Sequence, residues 1–122
     1  NSGEFLQRNF LKCKIHRAIV TKADLNYIGS ITIDENLLDA SGLSEYEKVH
    51  VLDITNGARI ETYVIKGKKG SGEICINGAA AHLIKKEDFI IIIAYCNLNE
   101  SEIKLHKPKI IYVNEFNKII DQ

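Results

Sequence analysis

Tyr27-Ile28-Gly29-Ser30-Ile31-Thr32-Ile33 is a run of apolar and β-branched residues with a glycine and a serine set in its middle. Such a run predicts a strand over 27–33. Strand interiors disfavour glycine, so Gly29 marks a bulge, a bend or a close backbone approach. Ser30 gives that irregularity a chemical consequence. Its Oγ lies one residue after the Gly29 carbonyl, and glycine leaves that carbonyl unshielded and tolerates backbone angles that other residues avoid. Attack by Oγ would turn the Gly29–Ser30 amide into an ester. Elimination from the ester would leave dehydroalanine at position 30, and its hydrolysis a ketone on a new N-terminus. The chain would then carry an electrophile of its own making. The plainer reading is a simple turn or bulge. Gly70-Ser71, inside Lys66-Gly67-Lys68-Lys69-Gly70-Ser71-Gly72, reads as just such a flexible turn. The pair at 29 and 30 differs in its strand-forming neighbours, which force the bend onto a packed element.

A chain of 122 residues, 45% hydrophobic and 26% charged, fits one globular domain spanning 1–122. Lys plus Arg balances Asp plus Glu at 16 each, so no global field steers the chain to nucleic acid or an anionic membrane. The apolar run Phe89 to Ala94 is too short to span a bilayer. Cys13, Cys75 and Cys96 form no CxxC and leave one thiol over, which suits reduced cysteines in a cytoplasmic protein. His16, His50, His82 and His106 show no metal-ligand spacing, and no metal is expected. The chain holds no Met and opens Asn-Ser-Gly-Glu-Phe, so part of residues 1–9 reads as an expression remnant, and no secretion signal is evident.

Working outward, Leu11, Cys13 and Ile15 alternate with Lys12, Lys14 and His16, the period of a half-buried strand over 11–21. Lys14 and His16 share one face, either solvated or functional. Lys22-Ala23-Asp24 reads as a connection. Asp34 is a helix N-cap and Gly42 a stop, around a short helix. Asn56-Gly57 predicts a hairpin between a strand holding Val49 and Val51 and a return strand over 59–65. On the return strand Arg59, Glu61 and Tyr63 face one way, and Ile60, Thr62 and Val64 the other. A short strand over 73–76 breaks into Asn77-Gly78-Ala79-Ala80-Ala81-His82. Its small residues either form a tight turn or let a ligand or backbone approach. Phe89 to Tyr95 reads as a strand buried on both faces, and Asn97 to Lys107 as a polar connection before Pro108. Lys109 to Val113 and Asn117 to Ile120 read as a last hairpin across Asn114-Glu115. Many short strands with little helix predict a small closed β-barrel.

Laid out in this way, the chain resembles the aspartate alpha-decarboxylase family, pyruvoyl enzymes that make β-alanine for pantothenate and coenzyme A synthesis. The resemblance rests on Lys14-Ile15-His16-Arg17, on Ala23 to Ser30, on Thr55-Asn56-Gly57-Ala58-Arg59 with Thr62-Tyr63, and on Asn77 to His82, in the family's order and spacing. It implies a mainly β fold, a double-psi β-barrel with short helices, and a homotetramer with sites between subunits. It also implies autocatalytic cleavage of a zymogen between Gly29 and Ser30, in some members with a maturation factor. The cofactor would be a pyruvoyl group made from Ser30, with no metal and no pyridoxal phosphate. L-aspartate would be decarboxylated to β-alanine and carbon dioxide through a Schiff base.

The roles implied are Tyr63 as proton donor and Thr62 as donor to the Gly29 carbonyl oxygen during cleavage. Arg59 would hold the side-chain carboxylate, with Lys14 balancing charge nearby or contacting the α-carboxylate. Asn77, Gly78, Ala79 and Ala80 would line the pocket, and His16 and Tyr27 would support proton handling. The rival reading is a non-catalytic β-barrel, structural or touching nucleic acid through Lys66, Lys68 and Lys69 or Lys104, Lys107 and Lys109. The stacking aromatics that such a surface wants are not interleaved there.

Overall fold

A computed structural model describes residues 5–121. The expected expression remnant lies partly outside the described residues, and its last two positions, Arg8 and Asn9, begin the first strand. Among the described residues the strands are β1 (Arg8–Ile19), β2 (Lys22–Asp24), β3 (Ser30–Asp34), β4 (Lys48–Asp53), β5 (Arg59–Gly67), β6 (Ile74–Asn77), β7 (Phe89–Leu98), β8 (Lys109–Val113) and β9 (Ile119–Ile120). Short helices α1 (Glu35–Ser41) and α2 (Glu100–Ile103) and a 3₁₀ turn (Gly78–His82) connect them. No helix among the described residues is long and apolar enough to cross a membrane.

The sheet order is β2-β6-β3-β5-β4-β7-β1-β8-β9. Three of its pairings are parallel, β1 with β8, β2 with β6 and β3 with β5. The sheet curls round a single core of fully buried isoleucines, among them Ile15, Ile31, Ile33, Ile74, Ile76, Ile90 and Ile92. Burying each contributes about 1.5–3 kcal/mol, and the alternation of strand residues is what delivers them to one face. Asn117 draws the far end of the sheet back. Its amide accepts from Ile19 N at 2.8 Å and donates to Ile19 O at 2.9 Å and Gly72 O at 2.8 Å. The architecture is the mainly β barrel with short helices that the sequence led us to expect, consistent with a double-psi β-barrel.

Several local expectations hold for local reasons. Asp34 caps α1 by accepting from Asn36 N at 2.8 Å, and Gly42 ends it in the left-handed conformation. The Asn56-Gly57 turn joins β4 to β5 as a hairpin. The turn over 66–72 is less free than its glycines suggest, because Asp34 also accepts from Gly70 N at 2.9 Å and Gly72 N at 2.8 Å.

Other expectations change. Lys22–Asp24 is a strand rather than a connection, since β6 offers it a parallel partner. In β7 only Ile90, Ile92 and Ala94 are buried, so one face, not both, meets the core. The polar stretch after it holds α2, started by a capping box between Asn99 and Glu102. Most consequentially, the strand expected over 27–33 begins only at Ser30. Tyr27, Ile28 and Gly29 lie on an exposed loop, with Ile28 79% exposed. Gly29 has no positive φ, and a β-carbon there would meet nothing within 4 Å. No bend is imposed on a packed strand.

Candidate active site

Ser30 opens β3 at the border between that exposed loop and the sheet, and is itself only 2% exposed. The antiparallel register sets it opposite Asn77, the last residue of β6. Asn77 Nδ2 donates to Ser30 Oγ at 2.8 Å and to Thr32 Oγ1 at 3.1 Å. The orientation of that amide is fixed from behind, since the Cys75 thiol donates to Asn77 Oδ1 at 3.0 Å. Burial pushes the Cys75 thiol up, which keeps it a protonated donor. With its oxygen occupied, the amide can present only its NH₂ to the two hydroxyls.

The 3₁₀ turn after Asn77 presses on the loop just before Ser30. Gly78 has φ +77°, and a β-carbon on it would fall 2.7 Å from Gly29 Cα, 2.8 Å from Gly29 N and 3.0 Å from Tyr27 O. This is the close backbone approach that the small residues permit. Gly78 is buried, while Ala79 is exposed and Ala80 half-buried.

β5 flanks Ser30 on its other side. The parallel register begins at Ile31↔Val64, so Ser30 and Tyr63 each stand one residue before the first paired residues, at the same end of the two strands. Paired residues point to the same side of a sheet. Tyr63 therefore shares the outer face with Ser30, and Thr62, opposite the core residue Val49, shares the inner one.

Arg59, Lys14 and His16 also lie on the outer face, yet far from Ser30 within one chain. Arg59 is four residues from Tyr63 along β5, about 13 Å at the rise of a strand. Lys14 and His16 pair with Ile93 and Ile91 of β7, and so stand three strands away from β5. Tyr27 brings its backbone to Gly78, while the residue is 58% exposed. Ser30, Asn77, Gly78 and Tyr63 thus lie close together, Thr62 is next along β5 and faces the core, and Arg59, Lys14 and His16 do not join them within the chain.

Arg59 is held by residues that the sequence reading missed. Its Nη2 donates to His50 Nδ1 at 3.2 Å and Tyr95 Oη at 3.3 Å. Since a guanidinium has no acceptor, Nδ1 must accept, which puts the imidazole proton on Nε2, donating to Glu61 Oε1 at 3.1 Å. Counting back from the Asn56-Gly57 turn pairs Leu52 with Arg59 and His50 with Glu61, so half of this cluster was within reach of the sequence. Burial pushes the His16 imidazole below its usual value, and the charges of Lys14 and Arg17 add to that. Its Nδ1 is buried with no hydrogen-bond partner.

The rival lysine surface finds no support. Lys66 and Lys69 lie near Glu35 and Asp39, at 3.9 and 3.3 Å, in exposed pairs of the ordinary solvated kind.

The fold and the site together are those of a small curled β-barrel with an internal Gly-Ser link, its serine held by an asparagine and its glycine covered by a second glycine. The sequence profile described as aspartate decarboxylase matches residues 6–120, and the chain belongs to that family. Among curated relatives, the aspartate 1-decarboxylase of Clostridium botulinum (strain Alaska E43 / Type E3) is 62% identical over 91% of this chain and 90% of its own length. That of Caldicellulosiruptor saccharolyticus is 61% identical over 90% and 86%, and that of Clostridium kluyveri 54% over 93% and 90%.

Proposed function

We propose that this chain cleaves itself between Gly29 and Ser30 and then decarboxylates L-aspartate to β-alanine and carbon dioxide, serving pantothenate synthesis in the cytoplasm. The observation that carries the reading is the Asn77–Ser30 hydrogen bond beside a glycine-on-glycine contact at the link to be cut. In the cleavage step Ser30 Oγ bonds to the Gly29 carbonyl carbon, the C–N bond breaks, and the hydroxyl proton passes to the departing nitrogen. Asn77 orients the attacking oxygen, and Thr62 donates to the carbonyl oxygen as charge gathers on it. Elimination then frees the Gly29 carboxylate, and water replaces the nitrogen at position 30, which leaves as ammonia.

The surroundings of Ser30 fit a pyruvoyl group. Residue 30 is fixed in the sheet, and the loop that leads to it is exposed and outside any strand. That group supplies the carbonyl that captures the substrate amine and the sink for the electron pair left by the departing carboxylate. Arg59, planar and bidentate, fixes the side-chain carboxylate, because a firm pairing with the departing one would stabilise the ground state more than the transition state. Lys14 balances charge at the α-carboxylate. Tyr63, beside Ser30 on the outer face, returns a proton to Cα. Asn77 and the Gly78 to Ala80 backbone line the pocket, with His16 and Tyr27 in support.

The spread of Arg59, Lys14 and His16 across the outer face favours a site completed by a second copy, in a homotetramer. Half-buried Ile91 and Ile93, with exposed Tyr95, give that face apolar surface to cover. Denaturing mass spectrometry tests the reading. Two fragments meeting at Ser30, the larger with a pyruvoyl mass, together with β-alanine formation, are expected. An intact chain that decarboxylates aspartate, or a cleaved one that does not, would overturn it.

A further inference from the structure

The hairpin that delivers Arg59 is anchored by a carboxyl group with no part in the scheme above. Asp53 ends β4 and is 2% exposed. Its Oδ1 accepts from Thr55 N at 2.8 Å and Asn56 N at 3.2 Å, while its backbone bonds Ala58 O and Gly57 N at 2.8 Å each. Its Oδ2 is buried, and no N–H or O–H reaches it. The group beside the carboxyl is Asp88, on the turn before β7. Two carboxylates side by side favour holding one proton between them, and that proton would give Oδ2 its missing bond. Burial pushes the Asp53 carboxyl up to about 6, aided by the neighbouring Asp88 carboxyl and opposed by the Thr55 and Asn56 amides.

Charged groups on the surrounding elements are aimed elsewhere. Lys85 sends Nζ to Ala81 O at 3.0 Å and only its backbone N–H to Asp88 Oδ2, also at 3.0 Å. Arg59 reaches His50 and Tyr95 on the outer face, Arg17 lies over the Phe89 ring, and Lys86 and Glu87 are exposed. The junction is otherwise sewn to β7 by Ile54 N to Phe89 O at 2.8 Å and Phe89 N to Thr55 Oγ1 at 3.2 Å.

We propose that Asp53 and Asp88 share one proton, and that this proton clamps the turn over 54–58 to the start of β7 and thereby positions Arg59 for the substrate carboxylate. The proposal rests on Arg59 as the carboxylate anchor. Asp53 is a positioning residue, acting only through the turn. When the proton leaves, two charges face each other, the turn parts from β7, and the residue that follows it loses its setting.

The test is turnover of L-aspartate by the processed enzyme between pH 5 and 8, for wild type, Asp53→Asn and Asp88→Asn. Either amide can donate to the remaining carboxylate without a shared proton. Wild-type KM is expected to climb about fivefold as the pair ionises, the cost of loosening about one hydrogen bond, with kcat little changed. KM in the amide variants should lack that component. Infrared spectra of the substrate-free enzyme should show a protonated-carboxyl band at pH 5 that fades on raising the pH and is missing from both variants. A wild-type enzyme without that band, or the same pH dependence of KM in all three proteins, would overturn the proposal. Arg59→Lys serves as the separate control. An unchanged KM there overturns the anchor reading, and the positioning with it, while the infrared band reports on the shared proton alone.

Discussion

Replacing Gly78 by alanine is expected to stall self-cleavage while leaving the barrel folded. The new β-carbon would sit 2.7 Å from Gly29 Cα and 2.8 Å from Gly29 N, where carbon contacts settle at about 3.5–4.0 Å. Those neighbours are backbone atoms, so no side chain can swing aside. Alanine also pays about 1–2 kcal/mol for the left-handed conformation that φ +77° imposes. Relief of the overlap adds about 1–3 kcal/mol, for a total of about 2–5 kcal/mol. At this chain length that lowers Tm by roughly 6–25 °C. The segment best able to yield is the exposed loop ending at Gly29, so the displacement falls on the carbonyl that Ser30 must reach. A time course of intact and cut chain by denaturing mass spectrometry, beside a thermal melt, reads both effects. Gly29→Ala is the contrast, because its β-carbon meets nothing within 4 Å and its melt should stay close to wild type. If Gly78→Ala cuts at the wild-type rate with an unchanged Tm, or Gly29→Ala melts lower than Gly78→Ala, the packing argument is refuted.

Ser30→Ala should remain a single chain and form no β-alanine, as seen by mass spectrometry and product assay. Tyr63→Phe should still cut but lose about a hundredfold or more in kcat, as expected when a general acid is removed, and full activity would remove Tyr63 from that role. His50→Ala deprives Arg59 of an acceptor, and KM for aspartate should rise about fivefold with little change in kcat. Burial alone would push the Asp34 carboxyl up, but the Gly72, Asn36 and Gly70 amides, with Lys118, hold it below its ordinary value. Its contribution to stability is therefore complete above about pH 4 and lost as pH falls through the lower folded value. Asp34→Asn should lower Tm near neutrality and flatten that acid limb.

What the sequence made legible was governed by neighbours along the chain. The Asp34 cap, the Gly42 stop and the Asn56-Gly57 hairpin each follow from chemistry within a few residues. Lys22–Asp24, by contrast, is polar and short, and becomes a strand only because β6 lies alongside. Tyr27 and Ile28 have strand-forming side chains but no partner strand, so the element starts at Ser30. At the candidate site the types of Ser30, Asn77, Thr62 and Tyr63 could be picked out, and their register could not. Asp88 stands 35 positions from Asp53, and Tyr95 stands 36 from Arg59. Only the folded sheet makes either pair neighbours.

The location of the cut has a thermodynamic corollary. Residues up to 29 include all of β1, which is hydrogen-bonded to β7 on one edge and β8 on the other and inserts Cys13, Ile15 and Ala18 into the core. Severing the link would leave a central stave of the barrel retained by noncovalent forces alone. Denaturing such a subunit releases two separate molecules, so its midpoint should shift with protein concentration, whereas that of the unsevered chain, taken as a lone subunit, should not. Recovery after dilution from denaturant would become a second-order process limited by the two pieces finding each other.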